Sequence, residues 1–248
     1  MTRIAILLLV VVASFGSAFA QTKPKPDGQW RGALGLGLTA ASGNTESTTF
    51  AVNADAVRQT GNDKLSGYFQ SVYGREKSNG ISKTTSELIR AGGEYNRDVN
   101  ERTFGFGSLY LERDGLIDLD LRSVAAGGLG YHVIRRDDLS FDVSTGPAYN
   151  REQYATLTRD WVEWLLAEET HHELAPGVTW RQRLATFANL DDFGEFRAVF
   201  DAGLVLKLAR GWSVTITLND RYQSNPLPGV KKNDLLFVTG LQYGFGPK

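Results

Sequence analysis

From Trp30 to Phe245 apolar and polar residues alternate segment after segment, and each segment closes on a turn. The last one shows the pattern plainly: Leu235, Phe237, Leu241, Tyr243 and Phe245 share one parity, while Asp234, Gly240, Gln242 and Gly244 share the other. A period of two puts successive side chains on opposite faces, so each segment predicts a strand with one greasy face and one wet face. Twelve strands are predicted, at 30–41, 46–59, 63–76, 83–96, 101–113, 118–134, 138–153, 161–174, 178–190, 195–209, 212–224 and 231–245. The segment 161–174 is the weakest, because Trp161, Trp164, Leu165 and Leu166 put bulk on both parities.

The connections carry turn chemistry. Ser42-Gly43-Asn44-Thr45, Thr60-Gly61-Asn62-Asp63, Lys77-Ser78-Asn79-Gly80, Ala175-Pro176-Gly177 and Ala209-Arg210-Gly211 supply residues that tolerate tight turns or positive φ. The expected fold is therefore all-β, a single antiparallel transmembrane barrel of about twelve strands. An even strand number puts both termini on one side, the periplasm, with short turns there near Gly61, Asp98–Glu101, Arg135–Asp138, Pro176 and Arg210. Lipid-facing residues are expected at Leu34, Leu36, Leu38, Phe69, Tyr73, Leu139, Phe141, Val143, Phe196, Phe200, Leu204, Leu206, Leu208, Trp212, Val214, Ile216 and Leu218, with Trp30, Tyr95, Tyr131, Tyr149, Trp180 and Tyr243 in aromatic girdles.

The start of the chain decides where such a barrel sits. Arg3, the apolar run Ile4–Val12 and the small-x-small site Ala18-Phe19-Ala20 read as a secretory signal peptide over residues 1–20. Residues 21–29 read as a flexible, proline-broken periplasmic tail, and 30–248 as the barrel domain. The 228 residues left after removal of the leader give 19 per strand and connection, enough for a tilted membrane strand, which needs about 9–11 residues in the hydrocarbon. An exported barrel of this type belongs in an outer membrane. Its expected partners are outer-membrane lipid, the barrel-assembly machinery and small polar solutes or ions. The near-balanced charge of −1 excludes the concentrated basic face that nucleic acid requires. The absence of cysteine excludes disulfides and thiolate metal sites. The mean hydropathy of −0.25 suggests a soluble protein only if one forgets that a barrel hides half of each strand's residues from lipid.

On the wet parity the strands carry a dense mixed-charge set. Its candidate cluster is Glu112, Arg113, Asp114, Asp118, Asp120, Arg122, Arg181, Arg183, Asp201, Arg221 and Asp234, joined by Asp55, Arg90, Glu94, Asp142, Glu152, Arg197 and Lys207. None belongs in lipid, where Arg or Lys at the midplane costs about 2–4 kcal/mol. In a lumen they either pair off and fill the bore or line a narrow pore of weak ion selectivity. Asp118 and Asp120, two apart, share a strand face and offer oxygens to a hard cation, but pairing with Arg113 and Arg122 in the same hairpin is the favoured reading.

Tyr110-Leu111-Glu112-Arg113-Asp114, then Asp118-Leu119-Asp120-Leu121-Arg122, then Gly127-Gly128-Leu129-Gly130-Tyr131 follow a recognisable order. With Ser42-Gly43-Asn44-Thr45, with Arg97-Asp98 ahead of Arg102 and Phe104, and with Pro228-Gly229-Val230-Lys231-Lys232-Asn233-Asp234, the chain resembles the YdiY-like, "salt-induced" outer-membrane protein family. That resemblance spans roughly 30–245. It implies an outer-membrane β-barrel and, by the family's name alone, a link to salt or osmotic stress, but no activity. One departure is that Phe245 is followed by Gly246-Pro247-Lys248, where many outer-membrane barrels end on an aromatic residue.

Two other functions compete for the same pattern. A lipid-modifying, phospholipase-like barrel enzyme needs a nucleophilic Ser beside a His on the outer wall, and no serine lies close in sequence to His171 or His172, flanked by Glu169 and Glu173. A soluble periplasmic β-sandwich or binding protein would have shorter strands, of about five or six residues. Gly127-Gly128-Leu129-Gly130 lies mid-strand with no helix after it, so it reads as a site of curvature or close packing and not a phosphate loop. The expectation is a structural envelope barrel or narrow passive pore with a polar lumen, no enzyme, no cofactor and no metal.

Overall fold

The computed structural model describes residues 26–41, 45–78 and 80–247. The proposed leader and residues 21–25 of the tail lie outside them. Twelve strands run β1 Trp30–Ala41, β2 Thr45–Gln59, β3 Asp63–Ser78, β4 Ile81–Asp98, β5 Thr103–Asp114, β6 Leu119–Arg135, β7 Leu139–Tyr154, β8 Thr158–Ala175, β9 Val178–Asn189, β10 Phe196–Lys207, β11 Trp212–Gln223 and β12 Asn233–Phe245. Each pairs antiparallel with its neighbours in sequence, and β1 pairs with β12, so the sheet closes on itself. Closure pairs every strand and leaves no edge, the one condition under which a sheet crosses lipid. It also removes the soluble-sandwich reading.

The outside is apolar. Leu34, Leu36, Leu38, Phe50, Phe69, Leu109, Leu129, Trp164, Leu166, Phe237 and Leu241 are all exposed, and their in-strand neighbours of opposite parity turn inward. A continuous apolar belt of this extent has no place in water. Trp30, Tyr95, Tyr131, Tyr149, Trp212 and Tyr243 are exposed too, as aromatic girdle residues are.

Wall geometry follows local chemistry. Positive φ at Gly80, Gly177 and Gly229 closes three of the turns. The Gly127–Gly130 run permits close approach: a Cβ on Gly128 would meet Thr145 O at 2.1 Å, and one on Gly146 would meet Gly127 O at 2.2 Å. Bulges interrupt β3–β4, β5–β6, β6–β7 and β8–β9. Among the described residues the seam between β1 and β12 is the shortest junction, five residue pairs from Gly32–Phe245 to Leu36–Leu241, against eleven or more elsewhere. Residues 26–29, expected as part of a flexible tail, are tied to this end of the barrel. Gly28 N donates to Gln59 O at 2.7 Å, and Arg58 Nε donates to Gly28 O at 2.8 Å.

Candidate functional site

The lumen divides into two halves. In the half away from the termini, the inward parity of β4 to β8 delivers alternating arginines and glutamates to adjacent strands, and they interlock. Arg90 Nε and Arg122 Nη1 reach the two oxygens of Glu112, each at 2.5 Å, and Tyr110 also donates to Glu112. Arg122 Nε donates to Glu152 at 2.8 Å, and Glu152 accepts again from Arg159 at 2.6 Å and from Tyr154 at 2.9 Å. Glu163 is held by both Nε and Nη2 of Arg197, at 2.8 and 2.7 Å, and by Trp161 Nε1 at 2.9 Å. Arg197 also lies over the Phe187 ring, 3.6 Å from its centre. Glu112, Glu152 and Glu163 are 4%, 0% and 1% exposed. Burial of this kind is tolerable only because each carboxylate is paired and hydrogen-bonded.

Apolar side chains share the lumen with these polar groups. Val124, Ala148, Leu165, Ala167, Ala185 and Phe187 form one buried apolar cluster, and Ala51, Val72 and Leu88, with Leu236 against them, form another. The lumen is thus not simply polar, which corrects the expectation from parity. It also explains β8. Leu165 packs inward, Trp164 and Leu166 face outward, and Trp161 turns in to bond Glu163.

The half nearer the termini holds a cavity of about 550 Å³. Its mouth is formed by Gln59, Thr60, Gly61, Arg135, Arg136 and Asp137, all at the terminal end, and its floor by Glu112, Arg122, Phe187, Arg197, Asp201 and Arg221. Among the described residues, none from the turns at the opposite end lines it. Two ion pairs cross the bore here: Lys64 of β3 meets Glu169 of β8, and Arg183 of β9 meets Glu94 of β4, each at 3.6 Å. These strands are five apart in a ring of twelve, so the contacts join opposite walls. On the wall of the same chamber His132 bridges Asp142 (2.7 Å) and Asp98 (3.3 Å), and Asp98 also takes Arg135 at 2.9 Å.

The candidate residues separate accordingly. Glu112, Arg122, Arg181, Arg183, Asp201 and Arg221 line the cavity, and Arg221 pairs with Asp201 at 2.8 Å. Asp114 caps the turn at Gly115–Ile117, accepting from Leu116 N at 2.9 Å. Asp234 is exposed, beside Arg221 in register at the strand's outer end.

Three assignments are corrected. Arg113 lies on the outer face, exposed, and reaches Glu87 at 3.6 Å, because its parity opposes that of Glu112. Asp118 occupies a left-handed turn position with φ 55, and Asp120 is the residue bulged out between the Leu119 and Leu121 pairings; both are exposed. The pairing expected of them inside the hairpin is absent from Arg113 and Arg122, whose ionic partners are Glu87, Glu112 and Glu152. Lys207, at a strand end, is exposed. Among the described residues no cluster of three His, Asp or Glu has the geometry to hold a metal.

Sequence reasoning left out several lumen residues. Glu163 and Lys64 sit on the inward parity and were legible by it. Gln70, Asn53, Asn150, Asn219 and Gln242, all buried in the lumen, carry no charge to draw notice. Glu168 is a surprise of the opposite kind: it lies on the outer wall with Trp164 and Leu166, held by Gln182 Nε2 at 2.8 Å and Thr170 Oγ1 at 3.2 Å. Two neighbouring donors satisfy a carboxylate that lipid alone would leave bare.

Residues 34–245 match the family model described as "Protein of unknown function, DUF481". The chain belongs to this family. The match carries the family and its lack of an assigned function; the YdiY-like name is not part of it. No curated protein matches the sequence. Among solved structures, the translocator domain of autotransporter NalP from Neisseria meningitidis is 13% identical, covering 88% of each chain at a TM-score of 0.47. An outer membrane channel from Pseudomonas putida F1 is 13% identical over 89% of this chain and 96% of its own, at 0.47. The KdgM porin is 12% identical over 88% and 99%, at 0.44. At such scores nothing about this member of the family is transferred from them.

Proposed function

We propose that this protein is an outer-membrane barrel of a Gram-negative envelope whose lumen is a chamber open to the periplasm and shut toward the outside. The observation that carries the reading is the placement of the cavity. Its mouth is built from the turns at the end bearing both termini, and beyond its floor lie the interlocked Arg90–Glu112–Arg122–Glu152–Arg159 ladder and the Arg197–Glu163 pair. In this state the barrel accepts small polar solutes from the periplasm and does not pass them. It is a narrow, closed path, and no catalytic step is assigned to it. The lipid-modifying alternative is disfavoured, because outward His172 faces Leu139 and Trp180 in register, with no serine beside it there.

The chain contains no cysteine, so a single introduced one reports its own surroundings. Ser66→Cys, on the cavity wall, is expected to react with a membrane-impermeant maleimide once the periplasm is opened, and to stay unreactive in intact cells. Equal labelling in both would overturn the closed outer face, as would a steady porin-like conductance in a planar bilayer. The salt-stress link is tested by comparing growth of a deletion strain at high and low salt.

A further inference from the structure

We propose that the chamber contains a binding site for a small carboxylate anion, with Arg181 as its ligand. The proposal rests on the reading of the cavity as a water-accessible chamber. Arg181 lines it and is 8% exposed, yet its Nε and Nη2 are buried with no hydrogen-bond partner. These two donors lie on one edge of the guanidinium and point the same way, a fork that fits the two oxygens of a carboxylate.

The protein shows the same fork filled elsewhere. Arg197 donates from Nε and Nη2 to the two oxygens of Glu163, at 2.8 and 2.7 Å. Arg159 commits the same pair of nitrogens to Glu152. Both of those arginines meet a carboxylate from a nearby strand, whereas the same two nitrogens of Arg181, buried in the cavity wall, meet none. A buried cationic donor left without an acceptor is costly, and an anion entering from the aqueous mouth would relieve that cost.

The surroundings define the ligand further. Asp55 and Glu169 act on Arg181 through space, but neither accepts from the two open nitrogens. Asp55 takes Gln242 Nε2 at 3.0 Å, and Glu169 faces Lys64. Their charges lower the attraction for diffuse anions, so hydrogen-bond geometry and not net charge must select. A carboxylate that fills the fork is favoured over chloride. Lys64 and Arg183, each held by one 3.6 Å contact, stand free to turn toward a second acidic group on the same ligand. The volume of about 550 Å³ restricts it to a small molecule.

Isothermal titration of the refolded barrel in detergent with sodium succinate tests the site, with sodium chloride and choline chloride as comparison salts. Saturable succinate binding is expected, with none for either chloride. Arg181→Gln is expected to abolish it and Arg181→Lys to weaken it at least about tenfold, since an ammonium cannot present a fork. Arg113→Gln, on the outer face away from the cavity, should leave it unchanged. No saturable succinate binding by the unmodified protein, or undiminished binding by a folded Arg181→Gln variant, would overturn the proposal. The Ser66→Cys labelling separates the two failures. A chamber that labels from the periplasm but binds no succinate sinks only this inference, whereas one that does not label sinks the chamber itself.

Discussion

Away from the termini, each lumen carboxylate is enclosed: Glu112 and Glu152 accept from two arginines and a tyrosine apiece, and Glu163 from an arginine fork and an indole. Near the termini the same residue types meet singly at 3.6 Å across open space, Lys64 with Glu169 and Arg183 with Glu94. The difference lies in what surrounds the charges. In the packed half, the partners come from adjacent or next-but-one strands and enclose each carboxylate almost completely, so its burial must be matched by donors. In the open half, these two contacts join opposite walls across the cavity. Identical chemistry therefore locks one half of the barrel and leaves the other able to exchange partners.

The sharpest way to break this comparison is to remove one carboxylate from each half. Glu112→Ala strands buried Arg90, leaves Arg122 with Glu152 alone, and is expected to cost about 3–5 kcal/mol. Glu94→Ala removes one end of a contact whose members are 20% and 26% exposed and is expected to cost less than about 1 kcal/mol. Urea unfolding of the barrel in lipid vesicles, followed by tryptophan fluorescence, reads both. Similar losses would mean that the two halves are equally packed.

Adjacent leucines make a second contrast. Leu165 is 2% exposed in the apolar lumen cluster and Leu166, beside it, is 59% exposed on the outer wall. Leu165→Ala loses buried methylenes and leaves a cavity, about 3 kcal/mol. Leu166→Ala loses only its transfer into lipid, about 2 kcal/mol at roughly 0.8 per methylene, because lipid fills the space. Equal values from the same unfolding assay would mean that the lumen closes over the space Leu165 leaves.

This pair of leucines also marks where the sequence stops being legible. Strand count, order and ends followed from parity and turn residues, and most strand ends fall within one or two residues of expectation, because a one-residue slip would turn a whole strand inside out. Parity also put Arg90, Glu112, Arg122, Asp201 and Arg221 in the lumen. It failed at Asp118 and Asp120, where a bulge and a left-handed turn residue break the period of two beside a loop, whereas grouping Arg113 with Glu112 goes against its own parity. It was silent on the apolar lumen clusters, since an apolar side chain satisfies either face of a membrane strand. Nor does alternation state which arginine finds a carboxylate. Arg181 and Arg197 look alike in sequence, and only the placement of Glu163 within reach of one tells them apart.

Glycines probe how tightly the packed half is closed. A methyl on Gly146 would meet Gly127 O and the Cα of Gly128, whereas one on Gly107 meets nothing within 4 Å. Gly146→Ala is expected to destabilise by about 2 kcal/mol through overpacking, and Gly107→Ala to be neutral or mildly stabilising, as loss of glycine freedom in the unfolded chain predicts. Thermal unfolding of the two variants side by side checks this. A harmless Gly146→Ala would show that β6 and β7 have room to part, and that the packed half is looser than its contacts imply.

The smallest expected effect lies at the rim of the open half. Arg31, 2% exposed at the start of β1, donates from Nη1 and Nη2 to the two oxygens of Asp27, at 2.8 and 2.5 Å, and from Nε to Pro247 O at 3.2 Å. One side chain thus fastens both described ends of the chain beside the five-pair seam. The hydrogen bond from Arg31 holds the Asp27 carboxyl well below the usual carboxylate range. A depressed folded-state value means that the clasp contributes above the ordinary carboxylate pKa and is lost as pH falls through the lower folded one. Protection of the Gly28 amide, which donates to Gln59 O, should therefore persist at about pH 4, where a free aspartate is half protonated, and fade only in stronger acid. Asp27→Asn should reduce that protection across the whole range while leaving global unfolding almost unmoved, because the fork loses its charged acceptor but the barrel ladder does not. Hydrogen exchange read residue by residue distinguishes the two outcomes. A global loss on Asp27→Asn would make the clasp part of the closure of the barrel, and the open half would then depend on its rim as the packed half depends on Glu112.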